Sequence, residues 1–451
     1  MRLPTLPINK GLLYTALSFL VIVVGTFAAI QYAKGRYRIS TQGFAQGTGL
    51  LSANSFPTGA EVIIDDKLVT ATDDTLYLQP GSYRVKIAKD GYSTWEKNIQ
   101  IEPELVAQTN AVLFPIAPSL STLTFTGAQN LSPSPDGQKI VYYTASQSAA
   151  RKNGLYVMEL GNATPISLQR GPRQIAEDVE NFELETAQIV WSPDSSEIML
   201  ITPNKEMLLN VDRNNDLLNL SDISFQKEQL LREWEQEMYL RERQFLREFP
   251  AEIITIATQS AKNVYISPDK KRLLYTATAD VTIPDTIVPP VPATNTQPEE
   301  RSLKPGSIYV YDREEDRNFK LAQEKEGTTA PSKYLLANDL YSNTPLTLVA
   351  SPSAFETLQA SQSAETAQRF NRYHSSLFTE TLQWFPDSKH LMFVQDQAVK
   401  IVDYDATNVV TVYSGPFQKD FIYPWPDGSR LVISTTFSPG APPNMYAIEL
   451  R

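Results

Sequence analysis

The sequence predicts a mainly β fold in two parts, a small β-sandwich followed by a β-propeller. One N-terminal transmembrane helix precedes them, and an amphipathic helix is inserted in the propeller. Three observations carry this reading. A turn with proline and aspartate at its centre recurs five times, each time ahead of an apolar strand. Residues 50–116 break into short alternating runs separated by turn signals. Gly11 to Ala33 is a run of 23 residues without a charge.

Composition sets the limits. With 451 residues, 42% hydrophobic and 20% charged, the chain suits two or three folded domains. It has no cysteine, which removes disulfides, thiolate metal sites and thiol nucleophiles together. Its two histidines, His374 and His390, lie in unrelated settings. A His-rich metal site or a His-based triad is therefore poorly supplied, and no metal or cofactor is expected.

The leader, residues 1–10, is followed by the uncharged run 11–33. A helix rises about 1.5 Å per residue, so roughly 20 apolar residues span the hydrocarbon core. Tyr14 and Tyr32 stand near its ends, where amphipathic rings favour the interface. The competing reading is a cleaved signal peptide with Thr26-Phe27-Ala28 at the cut, but the apolar part of such peptides usually has only about 7–15 residues. Flanking charge is nearly balanced, with Arg2 and Lys10 before the run and Lys34, Arg36 and Arg38 after it. The short leader ahead of a long β-rich body sets the orientation: N-terminus cytoplasmic, bulk extracytoplasmic, a single pass through the cell membrane. Beyond residue 40 the chain holds 35 basic and 51 acidic side chains, a net of −16. That balance disfavours nucleic acid and anionic lipid as partners.

Residues 34–49 are polar and Gly-rich, a linker. The strands then follow in order: Ala60 to Ile64, ended by Asp65-Asp66-Lys67; Thr75 to Leu78, ended by Gln79-Pro80-Gly81; Ser82 to Ala88, ended by Lys89-Asp90-Gly91; Glu96 to Glu102; and Leu105 to Phe114. Pro57-Thr58-Gly59-Ala60, then Gly81-Ser82-Tyr83, then Gly91-Tyr92 and Trp95 recur in this order. With them, residues 50–116 resemble the PEGA domain, Thr58 standing where that family has glutamate. The resemblance implies an extracytoplasmic, non-catalytic interaction module. Tyr83, Tyr92 and Trp95 are read as core packing, with carbohydrate stacking as the alternative.

From residue 118 the repeats begin. They are Ser134-Pro135-Asp136-Gly137, Ser192-Pro193-Asp194-Ser195, Ser267-Pro268-Asp269-Lys270, Phe385-Pro386-Asp387-Ser388 and Trp425-Pro426-Asp427-Gly428. Proline presets φ at the second position, and aspartate bonds the backbone two residues on. One turn plus several strands, repeated, is the pattern of a β-propeller. The repeats resemble TolB-like and WD-repeat blades over residues 118–451. The turn prolines are 58, 75, 118 and 40 residues apart. A blade takes roughly 40–45 residues, so the longer gaps hold insertions and the longest has room for a degenerate blade. Five to seven blades are expected, with six as the working count. The insertions are a helix over 222–249, a mobile Pro-rich loop over 280–305, and 351–374. The helix, with Leu231, Trp234, Met238, Phe245 and Phe249 on one face, is expected to end at Pro250 and to pack on the propeller's side.

The last strand, Asn444 to Leu450, is only the third of its blade. The alternating segment Ser119 to Thr126 is predicted to pair beside it and complete the blade. No nucleophile elbow, phosphate-binding loop or His-Glu-x-x-His motif occurs. No hydrolase domain is expected after the propeller. The acid pairs Asp65-Asp66, Asp73-Asp74 and Glu314-Glu315 read as turn and surface acids, and the five turn aspartates as structural. The sequence thus points to a non-enzymatic, membrane-anchored interaction protein of a bacterial-type cell envelope, binding protein, peptide or surface polysaccharide. A glycan-active enzyme using the propeller channel, or a scaffold self-associating through helix 222–249, are the alternatives.

Overall fold

The structure, a computed structural model, describes residues 10–33, 37–39, 45–145, 148–161, 171–180, 182–289, 291, 295–323, 382–419 and 421–451. The chain divides into two units, Met1–Leu113 with Val291–Gln297, and Phe114–Pro290 with Pro298–Arg451.

In the first unit the uncharged run forms one helix, α1 (Lys10–Ala33), of 24 residues. Its described side chains are those of Gly11 and residues 14–30, and all are exposed. Among the described residues no helix is long and apolar enough to cross a membrane. The stretch read as a linker is not featureless, because Tyr37–Ile39 pairs antiparallel with Ala45–Gly47.

The sandwich follows. One sheet runs Lys67–Ala71, Glu61–Ile64, Gly81–Ala88, Trp95–Ile101 in spatial order; the other runs Val106–Gln108, Gly49–Ala53, Asp74–Leu78. Their inward residues, among them Leu51, Val62, Val85, Ile87 and Ile101, form one core. The alternation in Gly81–Ala88 and Trp95–Ile101 places every second residue there. Two strand assignments need correction. Asp65 and Asp66 both have positive φ (46° and 65°) and form a two-residue hairpin turn. The chain therefore returns into the strand Lys67–Ala71 where the sequence reading ended one. The last strand is split at Asn110 (φ 44°) into Val106–Gln108 and Ala111–Val112.

Among the described residues the second unit contains five antiparallel sheets of three or four strands, besides one two-stranded pair. The first is Gln129–Pro133, Lys139–Thr144, Gly154–Glu159 and Arg173–Glu177. The second is Gln188–Trp191, Glu197–Ile201 and Glu206–Asn210; the third Ala261–Ile266, Arg272–Ala277, Ser307–Asp312 and Arg317–Gln323. The fourth is Gln383–Trp384, His390–Gln395, Ala398–Asp403 and Val410–Tyr413. The fifth is Ile422–Pro424, Arg430–Thr435 and Asn444–Glu449, completed by Leu120–Thr122.

These are propeller blades, and the packing shows why their second strands read as unbroken apolar runs. Alternate side chains of one strand enter different cores. Val141 and Tyr143 pack toward the second sheet, while Ile140 and Tyr142 pack toward the fifth. In the third sheet Leu274 packs with Leu391 and Val402 of the fourth. A strand buried on both faces has no polar alternation to show.

Leu273 and Tyr275 of that same strand face helices instead of a sheet. The charged helix, α2, covers Lys227–Leu246, starting five residues later than expected. Leu231, Trp234 and Met238 pack on Val190 and Met199 of the second sheet. Leu246 and Phe249, with Ile253 and Ile256 of α3 (Ala251–Gln259), pack on the third. One expectation is corrected. Pro250 does not end the helical region but caps the start of α3, whose first turn needs no donor from it. The expected packing of the charged helix against the propeller is seen, α2 covering the second sheet and α3 the third.

The Pro-rich segment is not wholly a loop either. Val281–Thr282 pairs with Ser302–Leu303, and Ile283 and Leu303 are buried. Residues 351–374 and His374 lie outside the described residues, as does most of the interval with room for a degenerate blade. The predicted closure is present. Leu120 pairs with Ile448, Ser121 with Ala447 and Thr122 with Tyr446. Ser121 Oγ donates to Glu449 Oε1 at 3.0 Å, and Met445 N donates to Thr124 Oγ1 at 2.9 Å.

Candidate functional site

The five repeated turns share one build. The fourth residue's N–H bonds the first residue's carbonyl in every one, at 2.8–3.0 Å. Asp136, Asp194, Asp269, Asp387 and Asp427 each accept, through Oδ1, the amide two residues on, at 3.0, 3.1, 3.1, 2.9 and 2.8 Å. In the three turns that open with serine, its hydroxyl donates to the aspartate at 2.5–2.6 Å and accepts the amide that opens the next strand. For Asp194 the Ser192 hydroxyl, helped by the Ser196 bonds and opposed by partial burial, holds the carboxyl below its usual 3.8. Pro135, Pro193, Pro268, Pro386 and Pro426 occupy the second position of their turns.

The fourth residue has positive φ in all five: Gly137 74°, Ser195 62°, Lys270 64°, Ser388 60° and Gly428 68°. It faces the element that precedes its blade. Asp136 N donates to Ser195 Oγ at 3.2 Å and Asp269 N to Ser388 Oγ at 2.9 Å. A Cβ on Gly428 would come within 2.9 Å of the Phe385 ring, and one on Gly137 within 3.0 Å of the Tyr423 hydroxyl. Lys270 reaches α2 instead, its Nζ 3.8 Å above the Phe245 ring. The fourth residues therefore fasten each turn to the element before it, while the carboxylates are committed to bonds within their own turns.

Two turns lack the serine. In one, Trp425 opens the turn and Ser429 Oγ donates to Asp427 Oδ1 at 2.6 Å. In the other, Phe385 stands in its place, and His390, five residues on, supplies the missing donor. Its Nδ1 lies 2.6 Å from Asp387 Oδ2, and its Nε2 lies 3.1 Å from Asp403 Oδ1. The ring is 3% exposed and packs edge-on against Phe114, 5.3 Å between centroids. Asp403 Oδ2 also accepts from Asn408 Nδ2 at 3.0 Å and Thr407 Oγ1 at 3.3 Å. Burial works against charge on His390, but the two carboxylates outweigh it and its pKa is pushed up to about 9. Burial likewise opposes charge on Asp387, and the imidazolium overcomes this to hold its carboxyl below 3.8. Both ring nitrogens are taken, so His390 acts as a buried cation linking a turn to the end of a strand, not as a base. Sequence reasoning passed it over. The signal was there in the loss of serine at 385 together with a titratable residue five places later.

The register repeats this device. Arg272 pairs across strands with Asp312 and Arg430 with Glu449, with ion pairs of 2.7 and 2.8 Å. The acid pairs sit in or beside turns with local partners. Asp65 Oδ1 accepts Arg84 N, Asp66 pairs with Arg84, Asp73 Oδ1 accepts Ser55 N, and Glu314 pairs with Lys271. Among the described residues no group of three or more acids and histidines is placed to hold a metal ion.

In the sandwich, Trp95 is buried, and Tyr83 and Tyr92 lie half-buried against the same core. Tyr83 donates its hydroxyl to Gln79 O at 3.0 Å. Pro57, Thr58 and Gly59 form a bend, with Thr58 exposed, Gly59 at φ 70° and Ala60 fully buried. Ala60 N donates to Thr72 Oγ1 at 3.0 Å, and Lys89 Nζ donates to Thr58 O. Gly81 (φ 159°) is near-extended, and Gly91 (φ 79°) closes the turn before Tyr92.

Residues 48–116 match the PEGA domain. Among curated proteins, none matches the chain. Solved structures similar to it include the following three. A TolB-type protein of Agrobacterium tumefaciens is 12% identical, over 71% of this chain and 78% of its own, with a TM-score of 0.19. TolB of Acinetobacter baumannii is 10% identical, over 81% and 59%, with a TM-score of 0.19. Oligogalacturonate lyase of Vibrio parahaemolyticus is 8% identical, over 82% and 86%, with a TM-score of 0.24. Likeness at that level carries no argument about activity, and the propeller rests on its sheets.

Proposed function

We propose that this chain is a membrane-anchored, extracytoplasmic binding protein of a bacterial-type cell envelope, taking protein, peptide or surface polysaccharide through its sandwich and propeller. The observation that carries the reading is the PEGA domain at residues 48–116, which follows the uncharged run Gly11 to Ala33 in sequence. The membrane crossing by residues 11–33, the cytoplasmic N-terminus and a count of five to seven blades belong to this proposal. The commitment of the turn carboxylates to bonds within their own turns, and of His390 to Asp387 and Asp403, supports a binding role over a catalytic one. A scaffold self-associating through the charged helix would need the apolar face that packing on Val190 and Met199 already buries.

The test is location. Cells making the chain are converted to spheroplasts, treated with protease and fractionated. The expected result is a carbonate-resistant membrane protein whose sandwich and propeller are cut from outside. Release into the soluble fraction, or protection until the cells are lysed, would refute it.

A further inference from the structure

The strand Trp95–Ile101 is the last of its sheet. It pairs with Gly81–Ala88 over seven consecutive residues without a bulge, and Trp95, Ile99 and Ile101 anchor it in the core. Its outer groups are met by a segment from far along the chain. Thr296 Oγ1 donates to Asn98 O at 2.9 Å and accepts from Gln100 N at 3.4 Å. Gln297 Nε2 donates to the same carbonyl at 2.7 Å. Gln297 is 6% exposed, and its own N–H is held by Asn295 Oδ1 at 3.0 Å.

The two backbone groups that Thr296 joins flank Ile99. In a parallel ladder, a residue opposite Ile99 would give its N–H to the carbonyl of residue 98 and take the N–H of residue 100. One hydroxyl performs both roles. Asn295 meanwhile folds the segment back on itself, so the imitation covers one rung of the ladder. The opposite edge, Lys67–Ala71, opens with a lysine and is bulged against Glu61–Ile64, devices that blunt an edge. Trp95–Ile101 carries Lys97 but runs without a bulge, and side chains of Thr296 and Gln297 cover its outer groups.

We propose that the outer edge of Trp95–Ile101 is a strand-addition site for an extended polypeptide of a partner protein, held closed in cis by Asn295–Gln297. The entering strand makes main-chain bonds where Thr296 and Gln297 now make side-chain bonds, and it extends them along the edge. Glu96, Asn98 and Gln100 are exposed on one face, with Ile99 and Ile101 on the other. The partner segment therefore alternates polar and apolar residues. The inference rests on the binding role proposed above and names its site and partner class.

The test uses the full chain in detergent. Thr296→Val keeps the shape and removes the hydroxyl, Thr296→Ser keeps the hydroxyl, and a third variant joins Thr296→Val to Gln297→Ala. The probe is an end-capped peptide with the sequence of Gly81–Ala88, the strand's own alternating neighbour. Amide exchange at Gln100 should accelerate about ten-fold in Thr296→Val and not in Thr296→Ser, as for loss of one net hydrogen bond. The peptide should bind the double variant about ten-fold more tightly than the unaltered chain and restore slow exchange at Gln100. Unchanged exchange at Gln100, equal peptide affinity, or protection at some other strand would each overturn the proposal. Unaltered circular dichroism and melting of the variants excludes misfolding as the cause. The exchange and binding measurements stand apart from the cell fractionation, so the two readings fail separately.

Discussion

Trp191 donates its indole N–H to Ser132, 3.3 Å from the carbonyl and 3.1 Å from the hydroxyl, and Trp384 makes the same reach to the carbonyl of Tyr265 at 3.1 Å. Each tryptophan ends the inner strand of its sheet and bonds the inner strand of the sheet before. Both acceptors lie two residues after a bulged asparagine at positive φ, Asn130 (50°) and Asn263 (63°). The repeat extends beyond the turns to the joints linking the blades.

Replacing Trp191 by Phe removes this bond from a fully buried side chain and leaves the smaller ring in its place. The expected cost is about 1–3 kcal/mol. Urea unfolding followed by far-UV circular dichroism would measure it, and an unchanged midpoint would contradict the joint.

Asp194→Ala removes an acceptor for Ser192 Oγ, Ser196 N and Ser196 Oγ. A loss of roughly 0.5–2 kcal/mol is expected, by analogy with losing a helix cap. Because the folded carboxyl lies below 3.8, the aspartate's contribution is present above that pH and disappears as pH falls through the folded value. The variant and the parent should converge in stability under acid.

His390 predicts the opposite limb. Its ordinary value of 6.5 rises to about 9 in the fold. Its contribution is therefore complete below 6.5 and is lost as pH climbs through about 9. The depressed Asp387 adds stability above 3.8 that vanishes in acid. Unfolding at pH 6 and at about pH 9.5 should show the parent losing stability that His390→Phe does not lose. At pH 6 that variant, with two buried carboxylates unpaired, should be about 3–5 kcal/mol less stable. A pH slope shared by both proteins would count against the cluster.

Thr124→Val tests closure. Thr124 is 4% exposed and accepts Met445 N, so the change leaves a buried amide without its acceptor, at about 1–3 kcal/mol. Hydrogen exchange should quicken together in Lys139–Thr144 and Arg430–Thr435, because the first and fifth sheets share one core. Quickening confined to residues 119–126 would mean that the strand is an ornament.

Sequence reading worked where one residue type has one backbone job. Proline followed by aspartate can hardly be anything but a turn, and each such turn fixes the strand after it. The strand Leu120–Thr122 was legible because it alternates and had no blade of its own. What escaped has a physical reason. Lys67–Ala71 is an exposed edge strand, and its burial is too slight to set a pattern. Which sheet α2 covers was invisible because an amphipathic stripe says that a face is covered, not by what. His390 escaped because its two partners come from a turn three residues before it and a strand thirteen residues after it. The strap at Asn295–Gln297 acts through single side chains, which leave no periodicity.

The bond from Ser121 to Glu449 spans 328 positions of sequence. A ribosome adding about 5–20 residues per second needs roughly 16–66 s to make that stretch. Throughout that interval the fifth sheet cannot be assembled, and the Ile140 and Tyr142 face of Lys139–Thr144 lacks its neighbour. Closure of this unit thus waits on synthesis of its C-terminal strand. A nascent chain in this state presents unpaired strand edges for tens of seconds, the period in which a holding chaperone has most to protect.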